Sequence, residues 1–153
     1  MNKLFIYVLT SILFVSLSGC TSPAQRALEE KEIQSIVSQA QNAKVLLVDV
    51  YQDRCPTCQL VEPAFQKLKE KYSSDKDIAF LKYDFSSPFT ILKSWKIAKP
   101  LGLEKIFKAQ RYTGIVLFVD MNTKQIFATL VGEYNIEKYV EIIEKKSHGN
   151  ARA

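Results

Sequence analysis

The feature that most constrains the fold is a strand-like run that leads through a cysteine pair into a helix. Lys44–Tyr51, whose body reads VLLVDVY, is a continuous apolar and β-branched run that only Asp49 interrupts, which is typical of a strand buried on both faces. The motif CPTC follows at Cys55–Cys58, with Pro56 where the first turn of a helix tolerates proline. Apolar residues then repeat at helical spacing as far as residues 73–75. These patterns place two sulfurs one helical turn apart, at the start of a helix that follows a buried strand.

The other elements alternate between helical and strand-like patterns. In chain order they are a helix over Arg26–Asn42, a strand over Ile78–Asp84, short helices over Phe89–Ala98 and Leu101–Phe107, strands over Gly114–Asp120 and Gln125–Val131 joined by a turn at Met121–Lys124, and a last helix capped by Asn135. The length of 153 residues, with 47% hydrophobic and 24% charged residues, suits one domain with a packed core. The expected fold class is α/β, with a central mixed β-sheet flanked by helices and one hairpin among crossover connections.

The cysteine pair has the properties of a redox-active dithiol. Cys55 is expected at the helix N-terminus, where free N–H groups and the helix dipole stabilise a thiolate and so lower the thiol pKa. Cys55 would then be the attacking nucleophile, and Arg54 beside it adds positive charge. Cys58, deeper on the helix, would attack the mixed disulfide and release the product. We therefore predict that Cys55 is the more exposed and more acidic thiol, and that Cys58 lies buried behind it.

A zinc site is the main alternative for a CxxC motif, because such motifs supply half of many tetrahedral sites. The sequence has three cysteines and one histidine, His148, which lies in the tail. A closed site needs four such ligands, so a zinc site within one chain is disfavoured, and we expect neither a bound metal nor another cofactor. A vestigial pair, or a pair that binds a metal shared between two chains, stays open.

The first 20 residues resemble the signal of a bacterial lipoprotein. Lys3 precedes a mostly apolar run over Leu4–Val15, which is typical of a secretory signal and short for a membrane span of about 20 residues. Leu17–Cys20 reads LSGC and resembles a lipobox. That resemblance implies removal of residues 1–19 and attachment of lipid to the sulfur of Cys20. An uncleaved membrane anchor is the alternative, and either arrangement tethers the domain to a membrane.

The expected organisation follows from this processing. Residues 1–19 form the signal peptide, residues 20–26 a lipidated tether, residues 27–147 the folded domain and residues 148–153 a frayed tail. Acylation of Cys20 leaves a single pair of cysteines, so no framework of structural disulfides exists. The net charge of +5 comes from dispersed lysines, which indicates a solvated surface and gives no support to nucleic-acid binding.

Two further positions make the run from Lys44 to Lys146 resemble the thioredoxin family. In that family an aspartate lies in the central strand six positions before the first cysteine, and Asp49 stands six positions before Cys55. A proline stands five positions after the second cysteine, and Pro63 stands five positions after Cys58. The later order of apolar strand, hairpin and C-terminal helix also follows the family. The resemblance implies a thioredoxin-like fold over most of the chain after residue 20.

The resemblance also implies roles for the site residues. Cys55 would be the nucleophile, Cys58 the resolving thiol and Asp49 a buried carboxylate that moves the Cys58 proton. Desolvation in an apolar strand raises a carboxyl pKa, which suits a proton acceptor near neutral pH; the alternative is a strand-end residue with a satisfied hydrogen bond. The residues expected to contact the substrate are Arg54, Pro56, Thr57, Tyr112 and Thr113.

Two departures from the family pattern concern that substrate surface. Arg54 stands where the family usually has tryptophan before the first cysteine. Thr113 stands in the place of a proline whose peptide bond is cis in the family. Because a cis bond without proline costs about 2.5 to 4 kcal/mol, we expect a trans bond between Tyr112 and Thr113.

A third departure is the length of the segment Phe85–Arg111, which exceeds its family equivalent. We expect a helical insertion there, before the strand that faces the substrate. Trp95 and Phe107 within it are expected to pack in the core, with a partner surface as the alternative.

Two functions of different classes follow. The first is a membrane-anchored thiol–disulfide oxidoreductase of the bacterial cell envelope, facing the periplasm or the cell exterior, and a reductase rather than an oxidant. Its partners would be protein disulfides or dithiols of the envelope, a membrane or periplasmic electron donor, and the lipid bilayer through Cys20, with no nucleic acid. The second is a non-catalytic binding module that holds a partner or a bridging metal through the dithiol, with Thr113 leaving room for a ligand that proline would exclude.

Overall fold

A computed structural model describes residues 22–149 of the chain, and its side chains as far as residue 146. The chain divides into two compact units, residues 1–31 and residues 32–153, and the described part of the first unit is the beginning of the first helix. The helices are α1 (Pro23–Asn42), α2 (Pro56–Lys71), α3 (Pro88–Ala98), α4 (Glu104–Ala109) and α5 (Ile136–Gly149). The strands are β1 (Val45–Tyr51), β2 (Ile78–Asp84), β3 (Ile115–Asp120) and β4 (Gln125–Val131).

The described strands form one mixed sheet in the order β2-β1-β3-β4. β1 pairs in parallel with β2 and antiparallel with β3, and β3 pairs antiparallel with β4 across the turn that was predicted at Met121–Lys124. β1 is therefore central, and all its residues but Tyr51 are buried. This architecture confirms the predicted fold class, and β2 and β4 have the predicted bounds.

The core consists of one apolar cluster on each face of the sheet. Leu46, Val48 and Val50 of β1 belong to the cluster that α1, α3 and α4 cover. Val45 and Leu47 belong to the cluster that α2 and α5 cover. Since side chains alternate along a strand, Asp49 projects toward the face that α2 and α5 cover.

The first helix begins earlier than predicted, at Pro23, and so takes in residues of the predicted tether 20–26. The cause is a capping box. The Ser22 hydroxyl accepts a hydrogen bond from the Gln25 backbone N–H at 3.2 Å, and the Gln25 side-chain oxygen accepts one from the Ser22 backbone N–H at 2.9 Å. These bonds satisfy two of the N–H groups that a helix start leaves unpaired.

Two other boundaries also differ. α4 begins at Glu104 rather than Leu101, because Gly102, with φ of +71°, takes a turn conformation that interrupts the helical path. α5 continues to Gly149, two residues into the predicted tail 148–153. In the described part of the chain, no helix combines the length and apolar character that a membrane crossing requires.

The expected insertion between β2 and β3 is present as α3 and α4, and its aromatic residues pack. The Phe107 ring lies 5.1 Å from the Tyr83 ring, 5.2 Å from the Phe85 ring and 5.5 Å from the Trp95 ring, measured between centroids. Aromatic pairs at such distances contribute about 0.5 to 1.5 kcal/mol beyond their buried area. The predicted packing role of Trp95 and Phe107 is thereby confirmed.

Candidate active site

The cysteine pair lies where β1 passes into α2. Cys55 is the N-cap of α2 in an extended conformation, and Pro56 occupies the first turn, where its missing N–H costs nothing. The backbone N–H of Cys58 donates to the Cys55 sulfur at 3.1 Å. The two sulfurs form a disulfide, with the two Cα atoms 5.2 Å apart. The helix start therefore presents an N–H donor and its dipole to the first sulfur, which is the arrangement that stabilises a thiolate.

The two cysteines differ in exposure as predicted. Cys58 is fully buried, with its sulfur 4.0 Å from the Val50 carbonyl oxygen. Cys55 is half-buried. An external thiol or disulfide therefore reaches Cys55 first, and Cys58 is placed to act only on what Cys55 has already bound.

Asp49 is the buried titratable residue of the site. Its side chain is fully buried, and neither carboxylate oxygen has a hydrogen-bond partner among the described residues. Burial raises the pKa of Asp49 to about 7; the Lys82 charge opposes this rise and the Glu62 charge adds to it. The predicted burial and the predicted direction and cause of the pKa shift are confirmed, and the satisfied strand-end alternative is not what the structure shows.

Lys82 and Glu62 form an ion pair on the same side of the sheet as Asp49. Lys82 is the register partner of Asp49 on β2. Its ammonium lies 2.6 Å from a Glu62 carboxylate oxygen and 4.0 Å from the centre of the Tyr51 ring. This pair was not predicted from the sequence; the parallel alignment of VLLVDVY with IAFLKYD is the signal that could have identified Lys82.

The loop before β3 faces the disulfide with its backbone. The bond between Tyr112 and Thr113 is trans, as predicted, since the described residues contain no cis peptide bond. Gly114 donates its N–H to the Val50 carbonyl at 2.8 Å and has φ of +75°. A Cβ at Gly114 would lie 2.8 Å from two carbon atoms of Thr57 and 3.5 Å from the Cys55 sulfur.

Gly114 thus lets backbone approach the redox pair where any side chain would collide. Thr113 was predicted as a site residue and its neighbour Gly114 was not, although a glycine directly before a strand often marks close backbone approach. Thr57, half-buried, fills the space between Gly114 and the loop after β4, where a Cβ at Gly132 would lie 3.1 Å from the Thr57 methyl group.

The other predicted contact residues surround the pair on the surface. Arg54 and Pro56 are exposed, Thr113 is half-buried, and Tyr112 is 79% exposed. Within the described residues, Arg54 forms no hydrogen bond or ion pair that would fix its guanidinium near the sulfur. Its predicted contribution to the thiolate stays a prediction, as do the substrate contacts of all these residues.

The lipidation site is not part of this geometry. Cys20 and the signal peptide over residues 1–19 lie outside the described residues. Among the residues that are described, no group of three or more histidine, cysteine, aspartate or glutamate side chains is arranged to hold a metal ion. The chemistry that the described site offers is that of an accessible sulfur, a buried sulfur and a buried carboxyl group on the strand that leads to them.

Comparison with known proteins places this arrangement in a family. The thioredoxin family model matches residues 25–100, a range that contains the cysteine pair and Asp49. The chain belongs to the thioredoxin-like family. No curated protein matches it at a significant level.

Solved thioredoxin structures resemble this thioredoxin-like chain at low identity. Thioredoxin of Malassezia sympodialis is 22% identical, over 76% of this chain and 85% of that chain, with a TM-score of 0.45. The thioredoxin pre-protein of Schistosoma mansoni is 21% identical, over 74% and 89%, with a TM-score of 0.46. A mutant thioredoxin of Halobacterium salinarum is 20% identical, over 73% and 82%, with a TM-score of 0.47.

A thioredoxin domain with Cys55 and Cys58 joined at the start of α2 supports thiol–disulfide oxidoreductase activity. The accessible first sulfur, the buried second sulfur and the buried carboxyl group give this thioredoxin-like protein the parts that exchange requires.

Proposed function

We propose that this protein is a membrane-anchored disulfide reductase of the bacterial cell envelope, which exchanges disulfides with protein substrates through Cys55 and Cys58. The observation that carries the proposal is the difference in burial within the site: Cys55 is half-buried at a helix N-terminus, Cys58 is fully buried one turn into the same helix, and Asp49 is fully buried in the preceding strand with its pKa raised to about 7. Each of these positions matches one step of dithiol chemistry.

In the first step the reduced Cys55 thiolate attacks a substrate disulfide. A bond forms between Cys55 and one substrate sulfur, and the other substrate sulfur leaves as a thiolate that takes a proton from water. In the second step Asp49, as carboxylate, accepts the Cys58 proton, directly or through water, and the Cys58 sulfur attacks Cys55. The second substrate thiol leaves, the substrate disulfide has gained two electrons, and the protein holds the Cys55–Cys58 disulfide.

The cycle then needs a donor of two electrons, which we propose to be a dithiol protein in the membrane or the periplasm. The direction of the reaction is set by the reduction potential of the pair. Equilibration of Cys55 and Cys58 with glutathione buffers measures it: a value of about −250 mV or lower supports a reductase, whereas about −120 mV would make the protein an oxidant.

The substrate can be captured because the second step depends on Cys58. In a Cys58→Ser variant the mixed disulfide on Cys55 cannot resolve, so substrate proteins should stay covalently attached. A matched Cys55→Ser variant, which lacks the attacking thiolate, should capture none. Equal capture by both variants would contradict the assigned order of the two thiols.

The envelope location and the anchor rest on the sequence LSGC at Leu17–Cys20. We propose that Cys20 carries lipid after removal of residues 1–19. Cells grown with a fatty-acid analogue should label the wild-type protein, and Cys20→Ala should abolish both the label and signal removal. Membrane retention without any label would favour an uncleaved anchor instead.

A non-catalytic binding module is the second candidate, and the loop before β3 favours it. Thr113 stands in place of the family's proline, with a trans peptide bond before it, and we propose that a ligand or a metal shared between two chains would bind there beside Cys55. Metal analysis of anaerobically purified protein, with an insulin reduction assay on the same sample, separates the two functions. Stoichiometric metal without turnover would overturn the reductase proposal.

A further inference from the structure

A second candidate site lies along the outer edge of β2, away from the cysteine pair. β2 is an edge strand of the sheet, so only β1 pairs with it among the described strands. Strand edges of this kind expose rows of unpaired N–H and C=O groups, which can pair with another chain.

Two hydrogen bonds show which groups of β2 face outward. The Val45 N–H donates to the Asp77 carbonyl at 2.9 Å, and the Phe85 N–H donates to the Tyr51 carbonyl at 2.8 Å. In a parallel ladder alternate residues of a strand bond to the same neighbour, so residues 77, 79, 81, 83 and 85 face β1. The backbone N–H and C=O groups of residues 78, 80 and 82 therefore point to the open edge, and no described residue bonds to them.

The structure also shows where this edge ends. The N–H of Asp84, the next residue in the outward row, donates to the Ser94 hydroxyl at 3.0 Å. α3 therefore closes the edge at its C-terminal end. The open part has the length of a strand of about five residues, because paired strands advance about 3.3 Å per residue.

A groove of about 980 Å³ runs beside this edge. Ile36 of α1 and Ile97 of α3 lie on one wall, which faces one side of the sheet. Tyr72 and Lys69 of α2 lie on the other wall. Helices thus flank the edge above and below and leave space for a single extended chain.

The two walls differ in charge. On the α1 and α3 wall the charges are compensated, since the Lys93 ammonium lies 2.9 Å from a Glu32 carboxylate oxygen. On the α2 side, Lys69 of α2 and Lys76 of the loop after it are exposed and form no ion pair with another described residue, whereas the carboxylates of Asp75 and Asp84, which line the same groove, each accept a hydrogen bond from a backbone N–H, that of Asp77 and that of Ser86. An occupant should therefore carry negative charge toward α2 and uncharged residues toward α1 and α3.

We propose that the outer edge of β2 binds an extended acidic segment of a partner protein, which adds to the sheet as a further strand. Its backbone pairs with Ile78, Phe80 and Lys82, and because side chains alternate along a strand, acidic residues at every second position face Lys69 and Lys76. The residues between them are small and uncharged and face Ile36 and Ile97. This recognition by strand addition takes affinity from backbone hydrogen bonds and specificity from alternate side chains.

A second copy of this chain does not fit the same groove. A second copy would bring its own Lys69 and Lys76 to the same edge, and so lacks the negative charge that these exposed lysines favour. The proposal goes beyond the dithiol chemistry, because it concerns a recruitment surface that works whichever redox state the cysteines have.

The probe for this site is a fluorescent heptapeptide that alternates glutamate with valine and threonine (TEVEVET), titrated into the full chain in mild detergent and followed by fluorescence anisotropy. Two N-methylated versions distinguish strand addition from simple charge attraction. Methylation of the amides in one alternate row removes about three backbone hydrogen bonds and should weaken binding about a hundredfold. Methylation of the other row, which faces away from β2, should change binding little.

Variants of the chain test the α2 wall. Lys69→Glu combined with Lys76→Glu should weaken binding of the peptide about tenfold, because two attractions become repulsions. Lys67→Glu is the matched control, since Lys67 is exposed on the same helix but does not line the groove. A peptide with lysine in place of glutamate should show the reverse response. Equal effects of the two methylation patterns, or of the wall and control variants, would overturn the proposal.

Amide hydrogen exchange on the free chain tests whether a second copy, or residues 1–21 of the same chain, occupy the β2 edge without the peptide. The amides of Ile78, Phe80 and Lys82 should exchange fast, those of Ala79 and Leu81 slowly, and the peptide should slow the first group only. Protection of the first group in a peptide-free dimer would mean that a second copy fills the edge. Protection in a peptide-free monomer would mean that residues 1–21 fill it, and either result would overturn the proposal.

Discussion

Replacement of the buried Asp49 should stabilise the protein at neutral pH, and the size of the gain can be calculated. The folded-state pKa of about 7 exceeds the ordinary aspartate value of about 3.9, so between these values the folded protein holds a proton that the unfolded chain has lost. Stability therefore falls as pH rises through this window. The slope reaches about 1.4 kcal/mol for each pH unit only between the two pKa values and falls to about half of that near each of them, so the unfolding free energy should lose about 3 kcal/mol between pH 4 and pH 7.

Asp49→Ala removes this loss. The shorter side chain leaves a small cavity that costs about 1 kcal/mol at any pH. The variant should therefore be about 0.5 kcal/mol less stable than the wild type at pH 4 and about 3 kcal/mol more stable at pH 7. Alanine is preferred to asparagine, because a buried amide without a partner costs about 1 to 3 kcal/mol itself.

Urea unfolding of both proteins at pH 4, 5.5 and 7 measures the difference, with the disulfide intact so that the cysteines do not titrate. Asp120 supplies a control of opposite sign: the hydrogen bond from Lys146 is the main cause of its lowered pKa, so its contribution is present at neutral pH and is lost as pH falls below about 4. Asp120→Asn should thus destabilise the fold at pH 7. A difference between Asp49→Ala and the wild type that does not change with pH would refute the reasoning.

The neighbouring charges should move the pKa of Asp49 in opposite directions. Lys82→Gln removes a cation that lowers this pKa and should raise it, whereas Glu62→Gln removes an anion that raises it and should lower it. The titration of the Asp49 carboxyl carbon by NMR reads out both. Shifts of the same sign in the two variants would show that the ion pair acts through structure rather than through charge.

Two predictions concern the sulfurs and the loop that faces them. In the reduced protein Cys55 should be alkylated faster than Cys58, with an apparent pKa below the ordinary thiol value of about 8.5; faster reaction of Cys58 would contradict the order of the site. Gly114→Ala should lower the unfolding free energy clearly more than Gly102→Ala. Both glycines have positive φ, for which a non-glycine residue costs about 1 to 3 kcal/mol. Only at Gly114 would the new Cβ collide with Thr57, because Gly102 has open space around it. Equal losses of unfolding free energy in urea would show that the loop before β3 shifts and makes room for the new Cβ.

Much of the fold could be predicted, because the spacing of apolar and turn-forming residues within a short segment determines whether that segment is a helix or a strand. The apolar residues of Ile78–Asp84 do not repeat at helical spacing, and turn-forming residues flank the run, so both ends of the strand were predictable. The start of α1 was misplaced although SPAQ at Ser22–Gln25 is a capping signal, because proline and serine there also suit a tether. Local chemistry of this kind supports two structures, and here the two capping hydrogen bonds between Ser22 and Gln25 favour the helix.

The geometry of the site depends on residues that are far apart in sequence, and this limits what patterns alone can predict. Asp49 was identified because its surroundings are its own strand neighbours, whose apolar side chains determine its burial. Gly114 was missed because its role depends on Thr57, which lies across the site from it. Its place directly before a strand indicates close backbone approach, but the sequence next to it does not show which side chain a Cβ would meet. The same reason hid Lys82: its charge matters to Asp49 only because β1 and β2 pair in a register that brings the two residues side by side.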